Sequence, residues 1–152
     1  MHTQIITTNS LEETLSFAEI IGTKCVGGEV FELISDLGGG KTAFTRGLVA
    51  GLGSIDEVNS PSFTINNTYK TDKLIIEHFD FYRLNESGVV GEELKEALSA
   101  SNTVVIVEWG NIVQEVLGQN DIKVEIQATG EDSRKFIFSF PDKFSYLFGG
   151  LS

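Results

Sequence analysis

The chain has 152 residues, 41% of them hydrophobic and 22% charged, a balance that predicts one soluble globular domain with its own core. Its net charge of −11 argues against direct, non-specific binding to nucleic acid, which depends on Lys and Arg neutralising phosphates, and permits a protein partner with a basic face. No apolar run approaches the ~20 residues of a membrane span. The start Met1-His2-Thr3-Gln4 predicts no signal peptide, and the single cysteine, Cys25, fits a reducing, cytoplasmic setting.

In chain order, Thr3 to Thr8 alternates and predicts a short strand. Ser10, with Glu13 three residues on, matches a capping box for a helix carrying Leu11, Leu15 and Ala18, with Gly22 as the expected stop. Glu29 to Ile34 reads as a strand. It feeds Ser35-Asp36-Leu37-Gly38-Gly39-Gly40-Lys41-Thr42, which runs into a helix from about Lys41 to Leu52 with Gly53 as its cap. Strand, Gly-rich loop and helix in that order match the phosphate-binding pattern G-x-x-x-x-G-K-[ST], except that Ser35 stands where the first Gly is usual.

The loop's chemistry follows from its residues. Glycine without a Cβ lets the backbone of Leu37, Gly38, Gly39 and Gly40 curl around an anion with its N–H groups inward, and the helix start through Ala43 adds positive potential. Lys41 is expected to reach the terminal phosphates, and the Thr42 hydroxyl to sit on a magnesium ion that accompanies them.

Further on, Ser60 to Thr71 and Leu74 to Tyr82 read as extended segments joined by a turn at Thr71-Asp72-Lys73. A helix is expected across Glu92 to Ala100, then a buried strand over Thr103 to Val107. A polar helix is expected over Asn111 to Leu117, and a hairpin of Asp121–Thr129 with Arg134–Phe140 turns at Gly130-Glu131-Asp132. The fold class expected is α/β: a three-layer P-loop NTPase-like fold, its mixed sheet parallel at the centre with antiparallel hairpins, and helices on both faces. Two acids end apolar strands, Asp80 after Leu74–Phe79 and Glu108 after Thr103–Val107, where carboxylates can lie beside the loop and its metal. His78 shares a strand face with Asp80 and reads as a packed or hydrogen-bonded neighbour of the site. Ser60 and Ser62 offer hydroxyls that could meet a γ-phosphate from a switch-like segment.

Taken together, Asp36–Thr42, Arg46-Gly47-Leu48, Ser60-Pro61-Ser62-Phe63, His78-Phe79-Asp80-Phe81-Tyr82-Arg83-Leu84 and Glu108-Trp109 resemble the bacterial TsaE (YjeE) family over nearly the whole chain. The resemblance implies ATP and magnesium binding and weak ATP hydrolysis. It also implies support of a TsaD–TsaB type transferase complex that makes the threonylcarbamoyl modification on adenosine 37 of tRNA, with tRNA met only through that complex. It gives Lys41 and Thr42 phosphate and magnesium contacts, Glu108 the magnesium side, and Asp80 a part in hydrolysis. It puts the adenine between Ser10 and Leu11 on one side and the Gly130–Arg134 turn on the other. Besides Ser35, the chain departs from the family pattern in having Ala43 for a common second Thr, Ser62 for a Thr, and Gly110-Asn111 after Glu-Trp. Two other readings use the same loop: a small-metabolite P-loop kinase, for which no Arg-rich lid is visible, and a non-hydrolysing nucleotide switch for a protein partner.

Overall fold

The computed structural model describes residues 1–35, 40–56, 58, 66–81, 88–108, 117, 118 and 120–151. The chain order is β1 (His2–Thr8), α1 (Leu11–Lys24), β2 (Val30–Ile34), α2 (Lys41–Leu52), β3 (Asn66–Lys70), β4 (Ile75–Asp80), α3 (Gly88–Ser99), β5 (Thr103–Glu108), β6 (Ile122–Ala128) and β7 (Arg134–Phe140), closed by a 3-10 helix over Asp142–Leu147. The strands form one sheet in the order β1-β7-β6-β2-β5-β4-β3. β6, β2, β5 and β4 run parallel in the middle, and antiparallel pairs flank them.

This is the mixed α/β architecture expected from the alternation of strand and helix patterns. The central parallel strands are the most deeply buried, β5 at every position and β2 at all but its last. On one face, Phe17, Ala18 and Ile21 of α1 and Phe44, Leu48 and Val49 of α2 pack on Phe31, Leu33, Ile106, Val124, Phe136 and Phe138. On the other face Leu94 of α3 packs with Val30, Phe79, Val105 and Val107. The chain leaves β2 into α2 on the first face, while the β4–α3–β5 crossover covers the second. The neighbourhood of the β2 carboxyl end is therefore a switch point, where α/β sheets open a crevice.

Local signals explain several element ends. Ser10 Oγ accepts the Glu13 N–H at 3.1 Å, and Glu13 Oε1 accepts from the Asn9 N–H, which starts α1 as the capping pattern predicts. Gly53, at φ 96°, closes α2. The Thr71 N–H meets the Leu74 carbonyl at 2.9 Å in the β3–β4 turn. Gly22 is a correction: it does not stop α1, which continues to Lys24. Its role is packing, because a Cβ there would stand 2.3 Å from the Leu48 carbonyl oxygen, and one at Gly51 would stand 2.1 Å from that of Glu19. The two glycines let α1 and α2 touch backbone to backbone. The expected extended run from Ser60 begins, within the described residues, as β3 at Asn66, and α3 starts at Gly88 rather than Glu92. Residues 60–65 and the expected helix over 111–116 lie outside the described residues.

No helix among the described residues is long and apolar enough to cross a membrane. Cys25 is a free, buried cysteine, and burial together with the nearby Glu29 pushes its thiol pKa up. Glu29, fully buried, accepts the Val26 and Gly27 N–H groups at 2.8 Å each and the Tyr146 hydroxyl. This network ties the closing 3-10 helix to the turn before β2.

Candidate functional site

Pairing across the parallel strands brings the expected acids together. Asp80 is in register with Glu108, and Glu108 with Leu33 of β2. Parallel partners point to the same face, so Asp80 and Glu108 stand side by side on the α1–α2 face at the strands' carboxyl ends. α2 begins on that face with Lys41. Its cap, Gly40, has φ 108°, a left-handed conformation that favours glycine and turns the chain into the helix. Lys41 is 8% exposed, and its Nζ lies 3.6 Å from Glu108 Oε1. The Lys41 carbonyl accepts the Thr45 hydroxyl at 2.8 Å, a contact that steadies the first turn. Thr42 is exposed and Ala43 half-buried at the same helix start, whereas Arg46 points to solvent.

The other Glu108 oxygen is taken by His78. Its Nε2 lies 2.5 Å from Glu108 Oε2, and the ring is 1% exposed. A carboxylate only accepts, so Nε2 carries the hydrogen and donates. Burial alone would raise the Glu108 pKa. The hydrogen bond and charge supplied by His78, and then Lys41, outweigh it and hold the carboxyl below its ordinary range. The result is an ionised carboxylate beside a lysine at a helix N-terminus.

Arg134 joins the same end of the sheet. It opens β7, in register with Thr8, and its side chain lies over Gly40, where an added Cβ would come 3.5 Å from Nε. Its Nη1 donates to the carbonyls of Gly130, Glu131 and Ser133, which folds the arginine against its own turn. Leu11, half exposed, starts α1 just after β1 leaves its pairing with β7. The structure thus gathers Gly40, Lys41, Glu108, Asp80 and Arg134 from four separate parts of the chain. Leu37, Gly38, Gly39, Ser62 and Trp109 lie outside the described residues. No group of three or more His, Cys, Asp or Glu among the described residues could hold a metal ion alone. The Thr42 hydroxyl and the Glu108 carboxylate are oxygen donors of the kind magnesium takes when phosphates complete its shell. A groove of about 480 Å³ between Cys25, Leu52 and Leu74 lies at the opposite end of the sheet, away from this chemistry.

Sequence reasoning missed one polar cluster. On the α3 side of the sheet, Lys123 Nζ lies 2.8 Å from buried Glu32 and 3.4 Å from buried Asp121. Glu32 reads as one polar residue in an apolar strand, and only the β2–β6 pairing, which sets it against Lys123, reveals its partner. Burial, followed by a hydrogen bond that the neutral Asp121 carboxyl donates to Glu32, raises the Asp121 pKa from 3.8 to about 6. A raised aspartate favours its neutral form in the fold, so its stabilisation is full below 3.8 and is lost as pH rises through about 6. Asp121→Asn is expected to flatten that slope. In urea unfolding, the parent should lose about 2 kcal/mol more than the variant between pH 4 and 7, allowing for screening at the part-exposed lysine.

The fold and this arrangement define a mixed α/β protein, with Gly40 and Lys41 opening the helix that follows β2 and two acids ending β5 and β4. A family model described as "Threonylcarbamoyl adenosine biosynthesis protein TsaE" matches residues 8–136. A Bacillus subtilis protein named tRNA threonylcarbamoyladenosine biosynthesis protein TsaE is 38% identical over 129 residues, covering 84% of this chain and 80% of that protein. A Rickettsia prowazekii protein of the same name is 30% identical over 143 residues, covering 88% of this chain and 98% of that protein. The crystal structure of Bacillus subtilis YdiB superposes with a TM-score of 0.79 at 31% identity, covering 96% of this chain and 91% of that one. The chain belongs to the TsaE family.

Proposed function

We propose that this chain is a single-domain cytoplasmic ATPase subunit of tRNA N6-threonylcarbamoyladenosine formation, binding magnesium-ATP at the α2 N-terminus and supporting turnover of a TsaD–TsaB type transferase complex. It is not the transferase, and it meets tRNA only through that complex. The observation that carries the nucleotide reading is the convergence of Lys41, Glu108 and Asp80 at one sheet end. Lys41 and the N–H groups of Leu37 to Ala43 hold the phosphates. Thr42 and Glu108 hold the magnesium ion, which neutralises phosphate charge when bound. Asp80 serves hydrolysis by positioning water. Ser62 approaches the γ-phosphate, and Leu11 and Arg134 flank the adenine. Membership of a family described by threonylcarbamoyl adenosine biosynthesis supports the pathway.

The test is ATP turnover by the purified chain, alone and with its partner proteins, together with product analysis. Slow release of free phosphate that the partners accelerate is expected, since Arg46 is exposed and Arg134 is folded against its own turn. A phosphorylated acceptor would overturn the reading in favour of a kinase, and binding without turnover under any condition would leave a nucleotide switch. Asp80→Asn is expected to cut turnover at least about 100-fold while ATP binding changes little, the signature of a group that acts in the transition state. Equal turnover in that variant would remove Asp80 from its role.

A further inference from the structure

Resting on the magnesium-ATP reading, we propose that His78 is a positioning residue for Glu108, holding Oε2 so that Oε1 alone faces Lys41 and the metal–phosphate end of the site. The two carboxylate oxygens have separate partners: Oε2 meets His78 Nε2 at 2.5 Å, and Oε1 lies 3.6 Å from Lys41 Nζ. His78 reaches Glu108 from the adjacent strand. Its own register partner is Ile106, so it grips Glu108 diagonally from below while Asp80 stands directly opposite.

The imidazole cannot swing away easily. It is 1% exposed and lies beside the Tyr69 ring, with centroids 6.2 Å apart. Its Nδ1 is buried without a hydrogen-bond partner among the described residues, so Glu108 is the one polar group there that the ring serves. Free carboxylates rotate and can offer both oxygens to a cation. A carboxylate pinned through one oxygen offers the other in a fixed direction, which suits the strict geometry magnesium demands. Partners of metal ligands commonly act in this way, and losing one typically costs about 10–100-fold in metal affinity.

The experiment compares the parent with His78→Leu, which removes the donor, and His78→Gln, whose amide can reach the position of Nε2. ATP binding is measured by calorimetry in EDTA and across a magnesium series, with thermal melts confirming folding. His78→Leu is expected to raise the magnesium concentration for half-maximal tight binding roughly tenfold, with binding in EDTA unchanged, and His78→Gln to recover most of that loss. Leu and Gln variants equally impaired would reduce His78 to packing, and a Leu variant matching the parent would remove any role. Either result overturns the proposal. A parent that shows no magnesium-dependent ATP binding overturns the nucleotide reading itself. Nitrogen NMR of the His78 ring reads the contact without nucleotide. A proton on Nε2, with a signal that moves in Glu108→Gln, is expected, and a proton on Nδ1 alone overturns the proposal even if the Leu variant fails to fold.

Discussion

Lys41→Ala is expected to weaken magnesium-ATP binding by about 100-fold, close to 2.7 kcal/mol, the size of effect seen when one partner of a largely desolvated charge-assisted contact is removed. The reasons are local. Lys41 is the first residue of α2, its side chain is 9% exposed, and it stands against the Glu108 carboxylate. Phosphate oxygens placed there would gain from the ammonium, from the N–H groups at the helix start and from the helix dipole, of which only the ammonium is lost. The variant also frees Glu108 Oε1, while Oε2 keeps its bond to His78, so the carboxylate is not left without a partner. The chain should therefore stay folded, and calorimetric titration alongside a thermal melt separates the two effects. Binding as tight as the parent's would remove the phosphate loop from the proposed function. Lys41→Arg is not expected to rescue, because a planar fork does not fit where a compact ammonium sits.

Phe44→Ala is expected to cost about 4 kcal/mol of folding stability, in the upper range for emptying an aromatic site. Phe44 is fully buried, and its ring lies within 6.2 Å, centroid to centroid, of Phe17, Phe31, Phe136 and Phe138. These rings come from α1, β2 and β7, so a cavity here loosens the join between both front helices and the sheet. Neighbours drawn from three elements cannot all collapse into the void, which is why the upper range applies. The position also matters to the site, since Phe44 lies within the first turn of α2 and its N–H meets the Gly40 carbonyl at 3.1 Å. Urea unfolding reads the stability loss, and a change below about 1 kcal/mol would show that the core does not depend on this ring. Nucleotide affinity should fall with it, but less than in Lys41→Ala, because no ligand contact is removed.

The α/β class was legible in the sequence because period and punctuation agreed. The apolar run Thr103–Val107 could only be a buried strand in a chain with these spacings, and β5 is buried throughout. Gly53 and the Ser10–Glu13 pair marked helix ends through chemistry contained in a few residues. Gly22 misled for the complementary reason. A glycine near a helix end looks the same whether it stops the helix or admits a neighbour, and here α2 approaches within van der Waals reach of its backbone.

By itself the sequence determined the glycine loop with its lysine and the two acids at strand ends, because each is a short-range pattern of residue type and backbone period. It could not decide which oxygen of Glu108 faces which partner, that Arg134 lies over Gly40, or that Glu32 meets Lys123 and Asp121. Those contacts join residues 30 to 94 positions apart, and nothing in local propensity encodes them. Strand order and register decided them. Setting β4 beside β5 carries His78 to Glu108, setting β6 beside β2 carries Lys123 to Glu32, and closing β7 on β1 brings Arg134 to the start of α2. The physical reason is that burying both faces of the sheet permits one pairing register, and that register places the polar groups as surely as the apolar ones.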